Sequence, residues 1–237
     1  MKPLMPKQHG AWAMLILPFA LGMEAGNPTW YHLPLFIGWV LLYLAIFPFL
    51  LAIKKKNAAP YLPSFFFFII PALLSLSIPI WKDWRLIFFG LLMVPFFLIN
   101  IYFARKNRER SFLNDLSAVG VFGIGGLASY FLGIGQLDLR AATIWFLTMI
   151  FFIGSIFFVK TMIREKENIT FRRISWGYHV LLITAFFAAG FSWLSLAFLP
   201  STIRAIVLNR KQLSMIHVGV IEIVNSVFFL VLVFYFL

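Results

Sequence analysis

The chain has 237 residues, of which 62% are hydrophobic and 12% charged, and its 20 Lys and Arg against 8 Asp and Glu give a net charge of +12. A soluble domain carries about a quarter of its residues charged, so too few polar groups are present to cover a water-facing exterior, whereas lipid accepts an apolar one. The cations stand in short clusters between greasy stretches and not among aromatics on a water-facing element, which argues against nucleic acid as a partner, and the lack of Cys excludes disulfides, thiolate chemistry and Cys-bound metal.

The expected fold is all-α: a polytopic transmembrane helical bundle of about nine spans, with eight as the alternative, in a single domain over 1–237. Crossing a hydrocarbon core of about 30 Å takes about 20 mostly apolar residues. Span one, 8–23, follows Lys2 and Lys7. What comes after it, Glu24-Ala25-Gly26-Asn27-Pro28, offers no small-x-small cleavage site, so the span is read as retained. Span two is 33–53. Span three, 61–81, contains Pro63, Pro71 and Pro79, and span four is 86–104. Span five, 116–137, holds Gly120, Gly123, Gly125, Gly126, Gly133 and Gly135, small residues that let helix backbones approach closely in lipid. No βαβ unit surrounds Gly123-x-Gly125-Gly126, so it is not read as a nucleotide loop. Span six is 141–159.

The uncharged run 174–203 would be about 45 Å long as one helix. Gly190 near its middle and Pro200 favour two shorter helices, 175–189 and 191–208. The last span, 212–237, is interrupted only by Glu222. With nine spans, 17 of the 20 Lys and Arg gather on one side, leaving Lys82, Arg85 and Arg140 on the other. The positive-inside rule then puts the rich side and the N-terminus in the cytosol, with the C-terminus outside. Eight spans would strand Arg210 and Lys211 outside.

Polar groups near a bilayer are costly and carry most of the functional signal. Four clusters stand out. The first, Lys7-Gln8-His9 with Trp12, joins possible head-group donors to an interfacial anchor, although a snorkelling Lys and a belt Trp would look similar. The second runs from Asn100 and Tyr102 through Arg105, Lys106, Arg108, Glu109 and Arg110 to Asn114 and Asp115. A continued helix would put Tyr102, Lys106, Glu109 and Arg110 on one face, with Arg110 four residues from Asn114, a donor-rich surface suited to phosphate. Asn114 and Asp115 would otherwise be helix caps. In the third, Lys160 and Arg164 lie four apart on one helix face, followed by Glu165, Glu167, Arg172, Arg173, Tyr178 and His179. The fourth is Glu222, sharing a helical face with Gly219, Asn225 and Ser226; Arg204 and His217 are its possible partners. No metal-binding motif, cofactor motif or recognisable nucleophile–base set accompanies them, and the residues do not decide between binding and catalysis.

Pro6-Lys7-Gln8-His9-Gly10-Ala11-Trp12-Ala13-Met14, Ala59-Pro60-Tyr61, Asn107-Arg108-Glu109-Arg110, Asn114-Asp115, Lys160-x-x-x-Arg164-Glu165 and Tyr178-His179 resemble the YwiC-like family of bacterial membrane proteins. That resemblance spans essentially the whole chain; it implies a bacterial cytoplasmic membrane location and no particular activity. A weaker similarity, to the intramembrane UbiA prenyltransferase superfamily, lies in nine helices with polar inner ends and in an opening span, 7–22, with Pro18 inside it. Those enzymes hold magnesium and an isoprenyl diphosphate with aspartate-rich motifs after spans two and six. Here Lys54-Lys55-Lys56-Asn57 and Lys160-Thr161-Met162-Ile163-Arg164-Glu165 stand there. The magnesium ligands are thus missing, and cations able to meet an anion directly replace them.

Two functions fit. One is binding, or transformation, of an amphiphile with an anionic head, an isoprenoid or phospholipid, in a cytoplasm-facing intramembrane cavity. Lys7, His9, Lys106, Arg110, Lys160 and Arg164 would hold the head, with His179, Asp115 or Glu222 moving protons. The other is a small anion or metabolite transporter coupled through Glu222 and His217; an accessory subunit of a membrane complex is the remaining alternative. Apart from the bilayer and this amphiphile, the sequence points to no partner.

Overall fold

The computed structural model describes residues 3–6, 9–55 and 57–236, with His9 described in its backbone alone. Among the described residues all regular structure is helical: α1 His9–Ala25, α2 His32–Lys54, α3 Leu62–Lys82, α4 Leu86–Arg105, α5 Phe112–Ile134, α6 Leu139–Ile163, α7 Ile169–Ala188, α8 Ser192–Val207 and α9 Met215–Phe236. Six of them, α2 to α6 and α9, are long and apolar enough to cross a membrane. The chain is a polytopic α-helical membrane protein. Of the other three, α1 and α8 have 17 and 16 residues, about 25 Å each at 1.5 Å per residue, and α7 opens with Arg172 and Arg173 in its second turn.

The long uncharged run is two helices. Gly190, at φ +84°, sits in the turn between α7 and α8, a left-handed conformation that costs glycine little. Several starts lie earlier than the hydropathy pattern predicts. Ser111 is extended and its side chain accepts from the Asn114 N–H, so α5 begins at Phe112. Asn168 likewise accepts from the Phe171 N–H and starts α7 at Ile169. Capped first turns are polar and invisible to an apolar window. At its other end α5 stops at Gly135, φ +80°.

Helix contacts group the chain into two compact units, 1–8 with 18–145 and 9–17 with 146–237. In the first, α5 is the pivot. A methyl on Gly22 or Gly133 would collide with the backbone carbonyl of Gly126 or Gly26 respectively, and one on Gly126 would strike the Pro18 carbonyl. Gly126 and Gly133 of span five therefore serve close backbone packing against α1 and its C-terminal end, as small residues do in lipid. Gly125 faces the Trp39 ring of α2, and Gly120 faces Phe96 of α4. Exposed Trp30, Trp81 and Trp84 flank the α1–α2 and α3–α4 turns, a placement typical of a membrane interface.

The second unit packs α6 to α9 around aromatic rings. Phe151 stacks on Phe229 at 4.1 Å, Phe198 meets Phe229 edge-on, and all three are nearly inaccessible. A second apolar layer, of Phe158, Met162, Ala205 and Val218, lies toward the α6 C-terminus.

Candidate functional site

Directly among these apolar layers the second unit holds a polar one. Arg204 of α8 and Glu222 of α9 form an ion pair, each about 5% exposed. The other guanidinium nitrogen, Nη2, donates to Ser155 Oγ of α6 at 3.3 Å, and the guanidinium lies 4.5 Å above the Phe158 ring. Asn225 donates to Ser201 Oγ at 3.0 Å, and Thr202 Oγ1 donates to the His179 carbonyl. Gly219, Glu222, Asn225 and Ser226 share the buried face of α9. Four helices thus contribute to one layer, held together by side chains that lipid could not satisfy.

Arg172, buried in the second turn of α7, stands 5.9 Å from the Trp176 ring centre and reaches Asn209 Oδ1 at 3.5 Å. Trp176 in turn donates to the Ala205 carbonyl, beside Arg204. Lys160, in the last turn of α6, is also buried. The buried charged side chains of this unit are therefore Lys160, Arg172, Arg204 and a single carboxylate, Glu222, among the described residues. Along α8 and α9 runs an open apolar groove of about 450 Å³, lined by Leu196, Leu199, Ile203, Phe228 and Leu232, with Arg204 in its wall.

The second sequence cluster lies in the first unit and differs from expectation. Helix α4 ends at Arg105, and Asn107 turns left-handed at φ +54°. Tyr102, Lys106, Glu109 and Arg110 therefore do not share a helix face. Nor do Asn114 and Asp115 cap α5, since Ser111 does. Instead Lys54 Nζ donates to Glu109 Oε1 at 2.6 Å, Asn114 Nδ2 donates to the Glu109 carbonyl, and Asn100 Nδ2 donates to Ser117 Oγ. Partial burial is the largest single influence on Glu109 and opposes its charge, but the hydrogen bond from Lys54, a backbone hydrogen bond and the nearby charges of Lys54 and Arg110 together outweigh it and hold the carboxyl below its ordinary range. Lys106 and Arg110 are exposed.

Lys160 and Arg164 also part company, because α6 ends at Ile163, leaving Arg164 exposed in the following turn. Lys7 and Gln8 lie outside the described residues, as does the His9 side chain; Trp12 is half-buried in the first turns of α1. Of the two partners open to Glu222, Arg204 takes it, whereas exposed His217 shares a hydrogen with Ser214. Sequence reading passed over Ser155, Ser201 and Thr202, whose hydroxyls look unremarkable in apolar runs. It also passed over His32, buried at the head of α2, which donates through Nε2 to the Ser129 carbonyl at 2.9 Å and accepts at Nδ1 from the Thr29 N–H.

A family model described as YwiC-like protein matches residues 5–130. The chain is 47% identical to the Bacillus subtilis protein YwiC, itself uncharacterized, over 97% of this chain and 96% of the relative. It is 36% identical to an uncharacterized Haemophilus influenzae protein over 98% of each. No solved structure matches. With more than half its length under the family model and a near-complete match to these bacterial relatives, the chain belongs to the YwiC-like protein family.

Proposed function

We propose that the second unit binds an amphiphile with an anionic head group. Its apolar chain lies in the α8–α9 groove, and Arg172, Lys160 and Arg204 attract its head from the cytoplasmic end. The observation that carries this reading is an apolar groove with the buried Arg204 in its wall, in the same unit as buried Arg172, a cation that no carboxylate is seen to meet among the described residues. A buried cation is costly unless an anion compensates it. Glu222 meets Arg204, while the bond from Arg172 to the neutral Asn209 amide is long. An anionic head arriving from lipid supplies the missing charge, with hydrogen bonds to charged groups each contributing about 1.5–3 kcal/mol.

The charge distribution along the chain supports a cytoplasmic mouth. In a nine-span topology the α6–α7 and α8–α9 turns fall on the cation-rich side, the N-terminus is inside and the C-terminus outside. The reading is tested by purifying the protein in mild detergent and quantifying co-purified lipid by mass spectrometry. Arg172→Gln should lower bound anionic lipid about tenfold or more, with the thermal unfolding midpoint little changed. Lipid content equal to wild type in both Arg172→Gln and Lys160→Gln would sink the proposal.

A further inference from the structure

The turn between α8 and α9 holds a backbone conformation that its side chain does not favour. Among the described residues, Asn27, Asn107, Gly135, Gly190 and Arg210 have left-handed φ. All but the last are glycine or asparagine, the residues that tolerate this region most readily. Arg210 stands there at φ +62°. The Lys211 N–H donates to the Leu208 carbonyl at 3.1 Å, which makes Arg210 the third residue of a tight four-residue turn. A positive φ at that place selects glycine or asparagine. An asparagine is available one position earlier, but Asn209 is engaged by Arg172, whose Nη1 lies 3.5 Å from its Oδ1.

The rest of the fold gives no reason for an arginine at this position. Arg210 is exposed, and its side chain forms no hydrogen bond or ion pair among the described residues. Exposed Lys211 already supplies an orienting charge beside it, so topology does not require a second one on strained backbone. Arg172, Arg210 and Lys211 therefore bring three cations to one short turn, and no carboxylate meets any of them among the described residues. Backbone strain kept for a side chain without an internal partner points to a ligand.

We propose that the α8–α9 turn receives a phosphate group and that Arg210 is the residue that contacts it. One arginine fork occupies both oxygens of a carboxylate, whereas a phosphate has further oxygens to offer Lys211 and Arg172. This inference rests on the head-group reading above, and it narrows the amphiphile to one whose head carries a phosphate.

Full-length protein purified in mild detergent gives two readouts: co-purified phospholipid by mass spectrometry, and the unfolding midpoint after delipidation. Arg210→Gln removes the charge and keeps the strain, so bound phospholipid should fall about tenfold with the midpoint unchanged. Arg210→Gly removes both, and the same loss of lipid should come with a midpoint raised by about 2 °C or more. Inorganic phosphate added to delipidated wild type separates the sources. A midpoint rise that Arg210→Gln abolishes assigns the turn to free phosphate as well as lipid; no rise assigns it to lipid phosphate alone. Phospholipid at the wild-type level in Arg210→Gln would overturn the turn site. If Arg172→Gln or Lys160→Gln still loses it, the head-group reading stands; if neither does, both fall. A midpoint lowered by Arg210→Gly would show that position 210 is not strained, and would overturn the inference as well.

Discussion

Arg204 and Glu222 show how unequal two ends of one ion pair are in a sequence. A carboxylate inside an apolar span has no orienting use, so Glu222 is conspicuous from composition alone. Arg204 stands one turn from the end of α8, where a cation is also what the positive-inside rule demands, and its burial is not visible without the fold. Removing either partner leaves a buried, uncompensated charge. Arg204→Met or Glu222→Leu should each lower stability by about 3–5 kcal/mol, while the double variant recovers most of the loss, as read from unfolding midpoints in detergent. Losses that simply add would contradict a direct pair. Lys54 and Glu109 behave differently, because their side chains are 26% and 36% exposed. Solvent screening limits that pair to about 1 kcal/mol at most. Glu109 has its pKa lowered in the folded chain, so its contribution is present above the unfolded carboxyl pKa and fades as pH falls through the lower folded value. Stability of wild type and Glu109→Gln should accordingly differ at pH 7 and converge under acid; a gap that widens toward low pH would have the wrong sign.

At the scale of helices, hydropathy reveals the interiors and caps decide the ends. The division of 174–203 into α7 and α8 is legible because its length exceeds any single crossing and Gly190 supplies the break. The early starts of α5 and α7 are not, because Ser111 and Asn168 build polar first turns that read as loop. The α4–α5 cations read in sequence as one helical face, which the left-handed Asn107 interrupts. The glycines of α5 were legible as packing residues, though which neighbour each one meets was not. Gly133 abuts the carbonyl of Gly26, backbone that cannot rotate away, so Gly133→Ala should push α1 from α5 and cost several kcal/mol, within the range for severe overpacking or loss of fold. Gly90 of α4 has open space around it. Gly90→Ala should therefore stabilise by about 0.5–1 kcal/mol through helix propensity alone. Opposite shifts in the unfolding midpoint are expected, and equal effects would mean that close packing is not what the α5 glycines provide.

For the molecule as a whole, sequence identifies the solvent before it identifies any site. Too few charges exist to face water, and exposed Phe67, Leu74, Leu92 and Leu181 project from helices whose apolar surfaces only lipid would tolerate. The grouping into two units is not legible in the same way, since composition is uniform along the chain and every connection is short. Orientation is the property on which the proposed head-group site most depends. The proposed nine-span arrangement would place 17 cations on one side and three on the other, so reversing it would move almost every Lys and Arg across the membrane. The native chain contains no Cys, so single cysteines report cleanly. In sealed right-side-out vesicles, Lys82→Cys should react with an impermeant thiol reagent, whereas Lys55→Cys and Lys106→Cys should react only after lysis. If Lys55→Cys and Lys106→Cys fell on opposite sides, an even number of crossings could not separate them. Either α3 or α4 would then not span, and the proposed alternation, with the α6–α7 and α8–α9 turns in the cytosol, would fail with it.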